Sequence, residues 1–113
     1  MNGRPYKVRI EDIIQAMNKI EHYTKGMSRK RFMKDELTVD AVVRNLEVIG
    51  EAARNIPDSV VEEHSHISWH RMIGLRNILI HQYFGVDKDI VWDIITEDLP
   101  KEKPLLESLC KAL

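Results

Sequence analysis

The sequence predicts an all-α protein, an up-and-down bundle of four to five helices forming one domain over residues 1–113. Apolar residues recur at three- and four-residue spacing through most of the chain, the period of a helix buried along one face. Most of the five glycines and four prolines fall between or at the ends of those periodic segments, which disfavours a sheet built from many tight turns. At 113 residues there is material for one hydrophobic core and no room for a second.

From Val8 to Thr24, Ile10, Ile13, Ile14, Met17 and Ile20 line one helical face. Glu11, Asp12, Gln15, Asn18 and Lys19 fill the other, and Gly26 supplies the stop. Ser28 can cap a short basic turn from Arg29 to Lys34, which Asp35 and Glu36 close. A second long helix starts at Thr38 or Asp40, because Val39, Val42, Val43, Leu46, Ile49, Gly50 and Ala53 keep helical spacing up to Ile56-Pro57. Ala41, Val48 and Ala52 add a second, small-residue stripe to it. A helix apolar on two sides needs two neighbours, one of which could be another chain. Pro57 to Glu63 read as a turn and a short helix, His64 to Ile67 as a loop, and Ser68 as the cap of a third long helix running from Trp69 to about Tyr83. Gly85 breaks it. Asp87 or Asp89 opens a shorter helix through Ile90, Val91, Ile94, Ile95 and Leu99, which Pro100 is expected to stop. Lys101 to Leu113 form the last, with Leu105, Leu106 and Leu109 in register and Pro104 near its start.

Charged residues make up 31% of the chain and apolar ones 43%, the balance of a soluble globular domain. Seventeen Lys and Arg against eighteen Asp and Glu give a net charge of -1, so the protein is not a uniformly basic nucleic-acid coat and any anion site must be a local patch. No apolar run approaches the roughly 18 residues that cross a bilayer. Met1 to Lys7 hold no apolar signal-like stretch, and the lone Cys110 cannot form an internal disulfide, so the cytoplasm is the expected location.

Chemistry concentrates between Gly74 and Gly85, where Arg76, Asn77, His81 and Tyr83 crowd the end of an otherwise apolar helix. Arg is almost never buried without a partner. Either Arg76 pairs with an acid such as Glu47 or Glu51 while His81 caps the last carbonyls, or the cluster is a site. At about 100° per residue Asn77 and His81 share a face, whereas Arg76 and His81 stand roughly 140° apart. To converge they need a loosened helix end, or two copies of the helix meeting across a two-fold axis. Phosphodiester cleavage calls for a base, an acid and a cation, and each motif brings one histidine.

The run Ile73-Gly74-Leu75-Arg76-Asn77-Ile78-Leu79-Ile80-His81-Gln82-Tyr83-Phe84-Gly85-Val86 resembles the Arg-x4–6-His-x-Tyr signature of HEPN-domain proteins, specifically their HepT-like group. The likeness extends along nearly the whole chain. It takes in Ile13-Ile14-x2-Met17-x2-Ile20-Glu21-x-Tyr23, the stretch from Asp40 to Ala53, Ile67-x-Trp69, and Val91-Trp92-x2-Ile95-x3-Asp98-Leu99-Pro100. The resemblance implies a HEPN-like, homodimeric, all-α toxin of a type VII-like HepT/MNT toxin–antitoxin pair, a metal-independent endoribonuclease needing no cofactor. By the same resemblance Arg76 would orient and stabilise the scissile phosphate, and His81 would act as general base or acid as the 2′-hydroxyl attacks. Asn77 would assist by hydrogen bonding, and Tyr83 would receive AMP from a partner nucleotidyltransferase antitoxin of the MNT type. Dependence on a 2′-hydroxyl makes RNA the substrate and spares DNA.

Other residues invite plainer readings. His64, His66 and His70 resemble a loose metal cluster, yet zinc wants three or four converging ligands and no cysteine lies nearby, so no metal site is expected. Glu47 and Glu51, four apart, are better partners for Arg44, Arg54 or Arg76 than an acid pair of their own. Trp69 and Trp92 belong to the core, and Cys110 is a spectator. The competing function is a non-catalytic helical module that binds a nucleotide or a nucleotidyltransferase through Arg76, His81 and Tyr83. A side chain that exchanges protons near neutral pH favours the enzyme, since phosphate binding alone would not need one.

Overall fold

In the computed structural model, which describes residues 5–80 and 87–113, the first periodic stretch becomes α1 (Pro5–Thr24). It begins three residues before the expected Val8, because proline at the first helical position has no N–H to lose and its φ is already helical. Ile10, Ile13, Met17 and Ile20 are buried, and Gly26 ends the segment at φ +76°, a backbone conformation that costs glycine little. Ser28 caps α2 (Arg29–Lys34), its hydroxyl accepting the Arg31 N–H at 3.1 Å. The buried ring of Phe32 meets Trp92 at 5.2 Å between centroids.

The second long helix, α3 (Glu36–Arg54), starts earlier than Thr38 or Asp40. Asp35 is the cap: its carboxylate accepts the Thr38 N–H at 3.0 Å, while its own N–H donates to Phe32 O at 3.1 Å. One residue thus closes α2 and opens α3, because a short acidic side chain can cap while its backbone finishes the preceding turn. That hydrogen bond from Thr38 holds the Asp35 carboxyl below its ordinary range. Val39, Val42, Leu46, Ile49 and Ala53 enter the core. The helix lies between α1 and α5 (Trp69–Ile80) and packs on both within one chain. Ala52 is buried there, and Val48 is half-buried against the core.

After α4 (Asp58–Glu63), the Trp69 side chain anchors the start of α5, 1% exposed, with its indole N–H donating to His64 O at 3.0 Å. Ser68 holds the cap position through its backbone: its carbonyl accepts from Arg71 and Met72, and its N–H donates to the Glu102 carboxylate at 2.6 Å. Asp87 caps α6 (Lys88–Asp93), accepting from the Asp89 and Ile90 N–H groups. Arg29 reaches both Asp89 and Asp93, at 2.8 and 2.6 Å, and ties α2 to α6.

The expected stop at Pro100 does not occur. Ile94–Asp98 form a π-helical turn, in which the Leu99 N–H donates to Ile94 O, and α7 (Leu99–Ala112) follows without a break. Pro100 follows directly on this widened turn, whose Leu99-to-Ile94 bond shifts the hydrogen-bond register at the point where the proline has no N–H to give. The fourth rod of the bundle is therefore the continuous stretch 88–112, which packs through α7 on α1. The all-α bundle expected from the periodicity is formed, four rods with short α2 and α4 between them, and no described residue belongs to a strand.

Candidate active site

The site is built where α5 crosses α3. Gly50 faces α5 so closely that a Cβ there would stand 3.2 Å from Met72 O, 3.3 Å from Arg76 N and 3.4 Å from Arg76 Cβ. Glycine at that position lets the two backbones approach, and the residue after it, Glu51, comes opposite Arg76. Arg76 Nη1 lies 3.3 Å from Glu51 Oε2, with the two side chains 42% and 56% exposed. Of the two carboxylates suggested by the sequence, Glu51 is the partner and Glu47 is not. The pair is wet on one side, so its charges are only partly desolvated and remain accessible to a ligand.

That wet side opens into a groove of about 430 Å³ between α1, α3 and α5. Arg44, Glu47 and Glu51 come to it from one face of α3, Arg9 and Asp12 from α1, and Arg76 from α5, above a floor that includes Val48 and Ala52. Three guanidinium groups meet three carboxylates, so the groove has mixed polarity and is not a uniform cationic track. Neither Arg9 nor Arg44 is ion-paired with a described residue. Asn77, next along α5, is exposed. His81 and Tyr83 lie outside the described residues.

Periodicity alone missed Arg9, Asp12 and Arg44 as lining residues: it set Asp12 on the polar face of its helix, read Arg44 as an ion-pair partner for Glu47 or Glu51, and gave Arg9 no role. The spacing Arg44, Glu47, Glu51 and Asn55 does mark a single polar stripe on α3, and a glycine in mid-helix inside an apolar repeat marks a close crossing. Asn45, buried within the same helix, is satisfied by donating to Ala41 O at 2.9 Å and takes no part in the groove. The histidines of the 64–70 region remain apart from it: the His64 and His66 rings stand edge-on at 6.1 Å. Among the described residues no group of three or more His, Cys, Asp or Glu is placed to hold a metal ion. No described helix is long and apolar enough to cross a membrane.

Comparison with known proteins bears on the chain as a whole. Residues 13–109 match the family model described as Ribonuclease HepT-like. The chain is similar to "Probable ribonuclease HepT" of Thermococcus cleftensis, at 42% identity over 108 residues, 96% of this chain and 98% of that protein. It is also similar to "Putative RNase MJ1380" of Methanocaldococcus jannaschii, at 40% identity over 107 residues, 95% of this chain and 98% of that protein. No solved structure matches it.

Proposed function

The chain belongs to the ribonuclease HepT-like family, and from that premise we propose that it is an endoribonuclease that cleaves RNA without a metal ion at the groove holding Arg76. The observation that carries the proposal is the Arg76 guanidinium, displayed half-exposed in a groove and steadied by one carboxylate. A bidentate cation in that setting suits a phosphodiester, whose charge it can hold as it builds up in the transition state. The proton of the ribose 2′-hydroxyl is removed, O2′ attacks phosphorus, the bond from phosphorus to O5′ breaks, and O5′ takes up a proton. The products are a 2′,3′-cyclic phosphate and a free 5′-hydroxyl. Arg76 holds the phosphate, His81 transfers a proton, and Asn77 adds a hydrogen bond.

Control follows from the same proposal. The protein acts as the toxin of a HepT/MNT pair, and the cognate nucleotidyltransferase adds AMP to Tyr83. The added negative charge and bulk repel the RNA phosphate and occupy Arg76. Co-expression with that enzyme and intact-mass measurement tests this step, and an adduct that persists in Tyr83→Phe refutes it. A homodimer pooling two Arg76/His81 motifs also belongs to the proposal, and light scattering that returns the mass of one chain at micromolar concentration refutes it. The decisive experiment is incubation of RNA with the protein in chelator, wild type beside Arg76→Ala and His81→Ala. Cleavage lost in both folded variants supports the assignment, whereas RNA bound but left whole by the wild type points to a binding module instead.

A further inference from the structure

The reaction needs two proton transfers, one from the 2′-hydroxyl and one to the leaving O5′, and each motif brings a single histidine. We propose that Glu51 is the carboxylate base of the site, accepting the 2′-hydroxyl proton beside the phosphate that Arg76 holds; the assignment rests on the ribonuclease reading above.

Three carboxylates line the groove, and Glu51 is the one that touches Arg76. The contact engages Nη1 and Oε2. A guanidinium has five N–H donors in a fixed plane, so the rest of the fork remains for a phosphate, and the second carboxylate oxygen remains for a hydroxyl. A phosphate oxygen bonded to the remaining nitrogens at about 2.7–2.9 Å lies within the breadth of one guanidinium from the carboxylate. The attacking O2′ must in turn come to about 3–3.5 Å from phosphorus. That places it in the space shared by the phosphate and Glu51.

The backbone that carries Glu51 is held from two sides. Gly50, immediately before Glu51, sets the close α3–α5 crossing, and the Asn55 side-chain amide donates to the Glu51 carbonyl at 2.8 Å, holding the last turn of α3. The Glu51 side chain is more than half exposed, so an incoming ribose can reach it. Arg76 lies between the carboxylate and the phosphate and offsets the repulsion between two anions. In the balanced step Glu51 takes the proton from O2′, the O2′–phosphorus bond forms as the phosphorus–O5′ bond breaks, and O5′ takes up a proton from a general acid, the role that the proposed function leaves to His81. Base and cation then come from the same chain, whatever its oligomeric state.

The test measures kcat and KM on an RNA oligonucleotide for wild type, Glu51→Gln and Glu51→Ala, the last with and without sodium formate at constant ionic strength. A base predicts a fall in kcat of about 100- to 10,000-fold for Glu51→Gln with KM little changed. It also predicts that formate, a free carboxylate able to enter the space left by the side chain, restores activity to Glu51→Ala, whereas chloride does not. A loss confined to KM, or a folded Glu51→Ala that formate leaves inactive, overturns the assignment and makes Glu51 a tether for Arg76. Should Glu51→Ala fail to fold, the isosteric Glu51→Gln carries the test alone. A wild type that cuts RNA while Glu51→Gln cuts equally well overturns this assignment only. A wild type that leaves RNA intact overturns the ribonuclease reading and this one with it.

Discussion

The same substitution at two glycines, Gly50→Ala in α3 and Gly74→Ala in α5, should shift stability in opposite directions. In a helix interior alanine is favoured over glycine by about 0.8–1.0 kcal/mol. At Gly74 an added Cβ meets no described atom within 4 Å, so the whole of that gain should appear, raising the melting temperature by roughly 4 °C in a domain of this size. At Gly50 the added Cβ meets the Met72 carbonyl and the Arg76 amide at 3.2 and 3.3 Å. Both are backbone atoms that no rotamer change can move. Relief requires α5 to withdraw by a few tenths of an ångström, and overpacking of this kind costs about 1–3 kcal/mol. The propensity gain offsets part of this, leaving Gly50→Ala destabilised by up to about 2 kcal/mol. The two variants should therefore differ by roughly 1–3 kcal/mol in urea unfolding monitored by circular dichroism. Cleavage should fall in Gly50→Ala, whose withdrawn helix carries Arg76 away from Glu51, and persist in Gly74→Ala. If Gly50→Ala gains as much stability as Gly74→Ala, the close α3–α5 crossing is wrong, and so is the placement of Arg76 derived from it.

Arg76→Lys keeps the charge but loses the planar fork, so cleavage should drop by about 100- to 1,000-fold. Its unfolding free energy should stay within about 1 kcal/mol of wild type, because the Glu51 pair is half-exposed. A lysine variant that cuts at the wild-type rate would show that only charge is needed. Trp69→Ala removes a buried ring together with its hydrogen bond to His64 O and should cost about 3–5 kcal/mol in urea titration. A loss under 1 kcal/mol, the scale of a surface change, would remove Trp69 from the core. The Asp35 carboxyl is lowered from 3.8 chiefly by the Thr38 backbone N–H, so its capping contribution is complete above that pH and is lost as pH falls through the lower folded value. The gap in melting temperature between wild type and Asp35→Ala should hold at neutral pH and close in acid, and a gap independent of pH would contradict the capping bond.

The periodicity of Ile10, Ile13, Met17 and Ile20, the cap at Ser28 and the stop at Gly26 were legible in the sequence, and the cap of α6 was narrowed to Asp87 or Asp89, because each depends on residues within about one helical turn. The family was legible for a similar reason: Arg76, Asn77, His81 and Tyr83 are close neighbours in the chain, and the segments around them keep their order. Features that depend on distant residues were not legible. Spacing admitted Glu47 or Glu51 as the partner of Arg76, and the choice was made by the rotation of α5 on α3, which packing around Gly50 determines. The small-residue stripe of Ala41, Val48 and Ala52 called for a second neighbour without naming it, and within the chain α3 lies between α1 and α5. Asp35 and Glu36 read as the close of the short basic turn, whereas Asp35 also caps the next helix and Glu36 is its first residue. Pro100 carries a strong local stop signal, overridden because the π turn at Ile94–Asp98 and the packing of α7 on α1 keep one rod continuous. Local hydrogen bonding chooses helices from a few neighbouring residues, whereas the crossing of two helices is set by side chains tens of residues apart, and only the folded chain brings Arg76 to Glu51.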